Sequence, residues 1–285
     1  MAASSSSPNT ATPEQTYTTW RPPSTSASAS TPSNPVRAST TTTTESSLLP
    51  TGPKSLSGIS IRAFLLGTTL SLSTTLTLHL LTQQHHLWRL PFFLASLSLF
   101  HFLEFYTTAT FNTRAADVSS FLLSSNGAAY NIAHSSAALE CLISYYIYPE
   151  NSYSALTAPI AGLKIQVVIG LFLIILGQVV RSLAMAQAGS NFNHLVQVER
   201  KDGHMLVTTG IYAWLRHPSY FGFFWWGLGT QLVLGNVVCF VGYAVVLWRF
   251  FDQRIRREEK FLIAFFGDEY VEYRKRTQVG IPGIP

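Results

Sequence analysis

Apolar and polar residues fall along this chain in long blocks, not in a short alternation. Residues 61–81, 91–111 and 160–185 are runs of mostly apolar residues, each about as long as an α-helix must be to cross a bilayer. Residues 119–148 hold a fourth run, whose span sits best at 128–148. Two shorter runs, 220–234 and 237–251, are split only by Gly235 and Asn236, which predicts a helical hairpin. In residues 252–273, Phe261, Leu262, Phe265 and Phe266 stand against a charged face, the pattern of an interfacial helix. Residues 186–217 break the apolar pattern. They are polar and punctuated by Gly189, Gly203 and Gly210. Polar links held on a rigid scaffold are where binding and catalytic residues gather.

Composition sharpens this picture. The chain is 47% hydrophobic and only 12% charged, with a mean hydropathy of +0.22. Soluble domains carry roughly a quarter charged residues. Collagen, coiled coil, a disulfide scaffold and a free cytosolic enzyme are excluded. Residues 1–57 are mostly Ser, Thr, Pro and Ala with five charges, too polar to offset the entropy of ordering them, so a disordered, dispensable tail is expected. The chain then divides into that tail, membrane helices over 58–185, and a third region over 186–285 that holds the polar link, the hairpin and the charged C-terminal stretch. The expected fold is an all-α integral membrane protein of about six transmembrane helices. Its last two form a helical hairpin, preceded by the polar 186–217 link on the cytosolic side and followed by a C-terminal amphipathic helix.

Net charge is +5 and the pI about 9.3. The basic residues stand at the ends of apolar runs, as at Arg254, Arg256, Arg257 and Lys260, which points to a membrane surface, not to nucleic acid. The loops at 82–90 and 149–159 share one basic residue, Arg89, whereas the 186–217 link and the C-terminus hold most of the others. The positive-inside rule then puts both termini and the link in the cytosol. Cys141 and Cys239 lie in separate apolar runs and read as small core residues. The chain opens on polar low-complexity sequence with no secretory signal, and its ending is neither a prenylation box nor a retrieval signal.

No phosphate-binding loop or dinucleotide fingerprint occurs, and Gly227 and Gly229 inside an aromatic run suit close helix packing. His194, Glu199 and His204 match no metal-ligand spacing, so no metal is expected. Three clusters carry candidate chemistry: Asn191–His194 with the stretches 196–199 and 204–207, Arg216–Tyr220, and Arg249–Arg254 with Glu258 and Glu259. Residue physics leaves each open. Arg216 fits a snorkelling anchor, His217 and Tyr220 fit interface residues, and Arg254 with Glu258 fits a surface ion pair one helical turn apart.

Together the clusters resemble the isoprenylcysteine carboxyl methyltransferases. The hallmark R-H-P-S-Y-x-G-x-F-x-W-x-x-G-T-Q stands at 216–231, W-R-F-F-x-x-R-I-x-x-E-E at 248–259 and F-F-G-x-x-Y-x-x-Y at 265–273. N-F-N-H-x-V-Q-x-E lies at 191–199, H-x-L-V-T-x-G-x-Y at 204–212, and F-H-x-x-E at 100–104. The match runs in order over about 58–285. Val237 stands where the family has Pro after Asn236, and the ending lacks the family's Phe. The resemblance implies S-adenosylmethionine as methyl donor and the C-terminal carboxylate of farnesyl- or geranylgeranyl-cysteine as acceptor. The partners would be prenylated protein C-termini and the bilayer, at the endoplasmic reticulum with the site facing the cytosol. It assigns Arg254 to the acceptor carboxylate. It assigns the cofactor to Gln197, His204, Met205, Leu206, Val207, Tyr212, His217, Pro218, Ser219, Tyr220 and Glu258.

The chemistry suits these residues. A carboxylate is ionised at neutral pH and needs alignment more than a base, and a planar guanidinium grips it at two points. Glu258 offers a carboxylate to the methionine ammonium. The aromatic run Phe221, Phe223, Phe224, Trp225 and Trp226 reads first as packing, second as a prenyl entry. His101 and Glu104, ionisable and mid-span, read as hydrogen bonds between helices. A phospholipid N-methyltransferase would deprotonate an amine, for which Arg254 is ill suited. An NADPH-dependent sterol reductase would want more cations in the link than Arg200, Lys201 and Arg216.

Overall fold

In the computed structural model, residues 45–123, 125–147, 159–160, 163–200 and 202–285 are described. The expected tail lies outside them up to residue 44. Residues 45–57 are ordered, however. Lys54 Nζ donates to the Arg114 carbonyl, and the buried Ser55 hydroxyl caps the first long helix through the Gly58 N–H. The folded chain therefore starts ahead of residue 58, because a serine cap needs no apolar neighbours to hold it.

The main elements are α1 (Leu56–Thr82), α2 (Arg89–Phe111), α3 (Gly127–Ile147), α4 (Ile165–Ala188), α5 (Pro218–Leu234), α6 (Val238–Phe266) and α7 (Asp268–Arg276). A two-residue ribbon, β1 (Pro159–Ile160) against β2 (Leu163–Lys164), precedes α4. Three helical stretches, Leu56–Thr82, His86–Phe111 and Ile165–Asn191, are long and apolar enough to cross a membrane.

The tightest pairing is α4 on α5, and glycine makes it. A Cβ added to Gly177 would lie 2.5 Å from the Gly222 carbonyl oxygen, and one on Gly222 would lie 2.5 Å from that of Gly177. Gly170 and Gly229 approach in the same way. Lipid tails are as apolar as leucine, so such backbone contact substitutes for the missing hydrophobic drive between helices. Around this seam the core is aromatic, with Phe100, Trp226 and Phe93 buried. Cys141 and Cys239 are free thiols packed in or against that core.

Gly235, in the left-handed region at φ 77°, ends α5 and returns its N–H to Gln231 and Leu232. Asn236 donates to the Ala137 and Gln231 oxygens, and the Glu140 carboxylate accepts the N–H groups of Val237, Val238 and Cys239 at 2.7–2.9 Å. The Val237 departure thus supplies one of three donors to this cap. Helix α6 then runs on to Phe266 without a break at Asp252, where the amphipathic helix was expected to begin. Only Gly267, at φ 56°, separates it from α7.

Candidate active site

Proline at the first position of α5 fixes where that helix starts, so His217, Ser219 and Tyr220 stand in fixed register around it. The link before it folds across α6, and two cavities form there. The first, about 120 Å³ and open to solvent, lies between the link and the later turns of α6 and α7. All eleven residues expected to hold the cofactor line it. The second, about 100 Å³, is lined by Arg254, Arg181, His194, Asn126 and the apolar Leu122, Phe223, Phe250 and Phe251. Phe192, Asn193, Ser219 and Tyr220 belong to both walls.

Tyr220 joins the two. Its ring stacks between His217 (5.4 Å) and Phe251 (5.2 Å). Its hydroxyl accepts from Arg254 Nε at 2.8 Å and donates to Glu258 Oε2 at 2.5 Å. Arg254 and Glu258 make no direct ion pair among the described residues; the phenol stands between them. Arg254 Nη2 donates to the His194 carbonyl, and Nη1 has no protein partner among the described residues. A guanidinium fixed on one edge keeps the other for an anion.

Arg216 is buried, not snorkelling. It donates through Nε to Glu259 at 2.7 Å, through Nη1 to the Thr277 carbonyl and through Nη2 to the Pro285 carbonyl. Glu259 also meets His217 Nε2 at 3.3 Å and Arg274 at 3.3 Å. Burial alone would raise the Glu259 carboxyl. Hydrogen bonds from His217 and Arg216, with their charges, outweigh it and hold the group at about 2. The segment after α7 thereby becomes a strap. Val279, Ile281 and Ile284 are buried, and Trp248 Nε1 donates to the Pro282 carbonyl.

The link is pinned at several points. Asn191 Oδ1 accepts the Met205 N–H, Tyr212 donates to the Ala184 carbonyl, and the Tyr273 hydroxyl donates to the Tyr212 carbonyl. His204 packs edge-on to Phe266 at 5.3 Å. Burial raises the Tyr212 phenol, which stays protonated. Burial lowers the His194 imidazole, and Arg181 and Arg254 lower it further against Glu104. The ring is therefore neutral near pH 7. Thr108 Oγ1 donates to the Glu104 carbonyl and lies 3.4 Å from His194 Nε2, while His194 Nδ1 lies 3.7 Å from Glu104 Oε2. No three His, Cys, Asp or Glu side chains converge as metal ligands among the described residues.

Comparison with known proteins identifies the family. The model of the isoprenylcysteine carboxyl methyltransferase family matches residues 168–264. The protein-S-isoprenylcysteine O-methyltransferase of Saccharomyces cerevisiae is 50% identical over 195 residues, 67% of this chain and 79% of the relative. The chain belongs to this family. The Homo sapiens enzyme of the same description is 42% identical over 226 residues, covering 79% of this chain and 75% of its own. A solved structure, described as a eukaryotic intramembrane Ras methyltransferase, superposes with a TM-score of 0.70 at 38% identity. It covers 80% of this chain and 77% of that one. As an isoprenylcysteine carboxyl methyltransferase, this is a methyl-transferring membrane enzyme.

Sequence reasoning missed three features of the site. Arg181 lies at the second cavity, and its signal was legible: the single charged residue of the apolar helix α4. His194 was read as part of a motif but given no place. Of the aromatic run, only Phe223 lines the second cavity; Phe224 and Trp226 are buried in the core.

Proposed function

We propose that this chain moves a methyl group from S-adenosylmethionine to the C-terminal carboxylate of a prenylated cysteine, giving the methyl ester. The observation that carries the reading is the pair of cavities sharing Tyr220, one holding Glu258 and the other Arg254. Residues 58–185 serve as the membrane scaffold and 186–285 as the catalytic region.

The first cavity fits such a donor. Glu258 keeps its second oxygen for an ammonium, while Tyr212, His217 and His204 offer ring faces and edges to an adenosine. When bound, S-adenosylmethionine supplies an electrophilic methyl group on a sulfonium. Arg254 does the acceptor's part. Its free edge orients an ionised carboxylate, and Tyr220 and His194 keep the guanidinium from swinging away. No base is required, because the acceptor carboxylate is already ionised at neutral pH. Phe223, Phe250, Phe251 and Leu122 give the prenyl chain an apolar wall.

The helices suit six passes. To the three strongly apolar stretches are added α3, α5 and the first half of α6. The 17 residues of α5 reach roughly 25 Å, most of a hydrocarbon core about 30 Å thick. The hairpin tip then faces away from the link, both termini share the link's side, and the basic bias makes that side cytosolic, on the endoplasmic reticulum.

Membranes carrying the chain, given labelled S-adenosylmethionine and N-acetyl-farnesyl-cysteine, should form a base-labile methyl ester. Labelling of phosphatidylethanolamine instead would overturn the reading.

A further inference from the structure

Beside the second cavity lies a deeply buried ion pair. Glu104 of α2 is 1% exposed and Arg181 of α4 is 7% exposed. The guanidinium meets the carboxylate at two points, Nε to Oε1 and Nη2 to Oε2, the second at 2.7 Å. Its Nη1 donates to Ser219 of α5, to Oγ at 2.9 Å and to the carbonyl at 3.1 Å. Its carbon lies 5.5 Å from the Phe100 ring centroid and 5.4 Å from that of Phe223. One pair thus ties three helices together at depth.

A buried ion pair is a poor way to gain stability, because desolvation consumes most of the attraction and an apolar pair of like volume serves as well. The partners on either side of this one suggest another use. Ser219 belongs to the wall that the two cavities share. Glu104 reaches the other wall: its Oε2 is 3.7 Å from His194 Nδ1, and Thr108 bridges its backbone to His194 Nε2. His194 in turn offers its carbonyl to Arg254. From the ion pair, one path of contacts runs to the shared wall and another to the carbonyl that orients the acceptor arginine.

We propose that Glu104 and Arg181 are positioning residues for the acceptor side of the reaction, setting Ser219 directly and Arg254 through His194. Neither touches the reacting atoms in this role. They fix the distance between the guanidinium that holds the carboxylate and the wall behind which the donor lies. The inference rests on the proposed methyl transfer to a prenylcysteine carboxylate.

The test uses the full chain in nanodiscs. Turnover is followed against N-acetyl-farnesyl-cysteine concentration, and S-adenosylmethionine binding by calorimetry. Removing one partner alone strands a charge, so the informative variant removes both, as Glu104→Gln with Arg181→Gln. The expected result is a cofactor Kd within about threefold of wild type and an acceptor kcat/KM lowered at least about tenfold, mostly through KM. Should that variant not fold, Arg181→Lys decides. It keeps a charge for Glu104 but loses the guanidinium that reaches Glu104 and Ser219 together, and the acceptor KM should rise about threefold or more at unchanged cofactor affinity. Wild-type acceptor KM in the folded double variant, or in Arg181→Lys where the double variant does not fold, overturns the proposal. A wild-type chain that transfers no methyl group overturns instead the function on which it rests.

Discussion

Helices α1 and α5 look alike as letters and behave as opposites. Of the 27 residues in α1 only Leu66, Ser73 and Thr77 are buried, and Phe64, Leu65, Leu72 and Leu76 point outward. Of the 17 in α5 twelve are buried, glycines and polar residues among them. Apolar side chains do not draw helices together in lipid, so α1 is content to be solvated by tails. Helix α5 is held by what lipid cannot offer: glycine contact with α4, the Arg181 fork on Ser219, and Tyr220 between Arg254 and Glu258. The lesson is that hydropathy locates helices, while backbone approach and buried polar groups decide which of them are load paths to the site.

The largest effect should come from the α5–α6 side. Arg254→Ala should slow methyl transfer by about 100-fold or more while S-adenosylmethionine affinity, measured by calorimetry, stays within about threefold. Arg254→Lys should recover little, since a point charge lacks the fork. Glu258→Ala should reverse the pattern and weaken cofactor binding first. Equal loss of cofactor affinity in both alanine variants would dissolve the division between the two cavities.

Next in size is a direct contrast of glycines. Gly177→Val meets the Gly222 carbonyl and the Trp226 backbone, whereas a side chain at Gly67 of α1 meets nothing within 4 Å. The first substitution should lower the melting temperature in detergent by roughly 5–10 °C, the second by almost nothing. A comparable drop at Gly67 would show that α1 is packed after all, and the comparison would fail.

A third effect appears only in acid. The Glu259 carboxyl sits at about 2 in the folded chain against about 4.3 when unfolded, so its stabilising contribution is complete above roughly pH 4.3 and is lost as pH falls through about 2. The melting-temperature gap between wild type and Glu259→Gln should therefore be widest near neutrality and close across that window. A gap that stays constant with pH would assign the contact a role without charge. Smallest of all, deleting residues 1–44 should leave transfer unchanged at equal expression, on the strength of their composition.

Much of this was legible beforehand, and the failures have identifiable causes. The apolar runs announced the helices because membrane crossing demands length and composition together. The ordered series of motifs announced the family and the cavity-lining residues. Arg181 gave no hint of its partner, because Glu104 lies 77 positions away and only the fold joins them. The division placed at Asp252 followed a change of composition, yet a change of composition need not break a helix, and α6 simply passes from apolar sequence to charged sequence. The strap at 277–285 was unreadable because its hold on Arg216 and Trp248 runs through backbone carbonyls, which every residue possesses.

That unbroken α6 also acts as a ruler. It is pinned at its start by Glu140, and Arg254 comes sixteen residues after Val238, roughly 24 Å farther along the axis at about 1.5 Å per residue. Glu258 follows one turn later on the same face. Side chains between them can change without disturbing that spacing, but the count cannot. One inserted residue would turn Arg254 by about 100° and lift it about 1.5 Å, carrying it off Tyr220. The helix therefore converts chain length into address: what it conserves for the site is a number of residues, whatever those residues are.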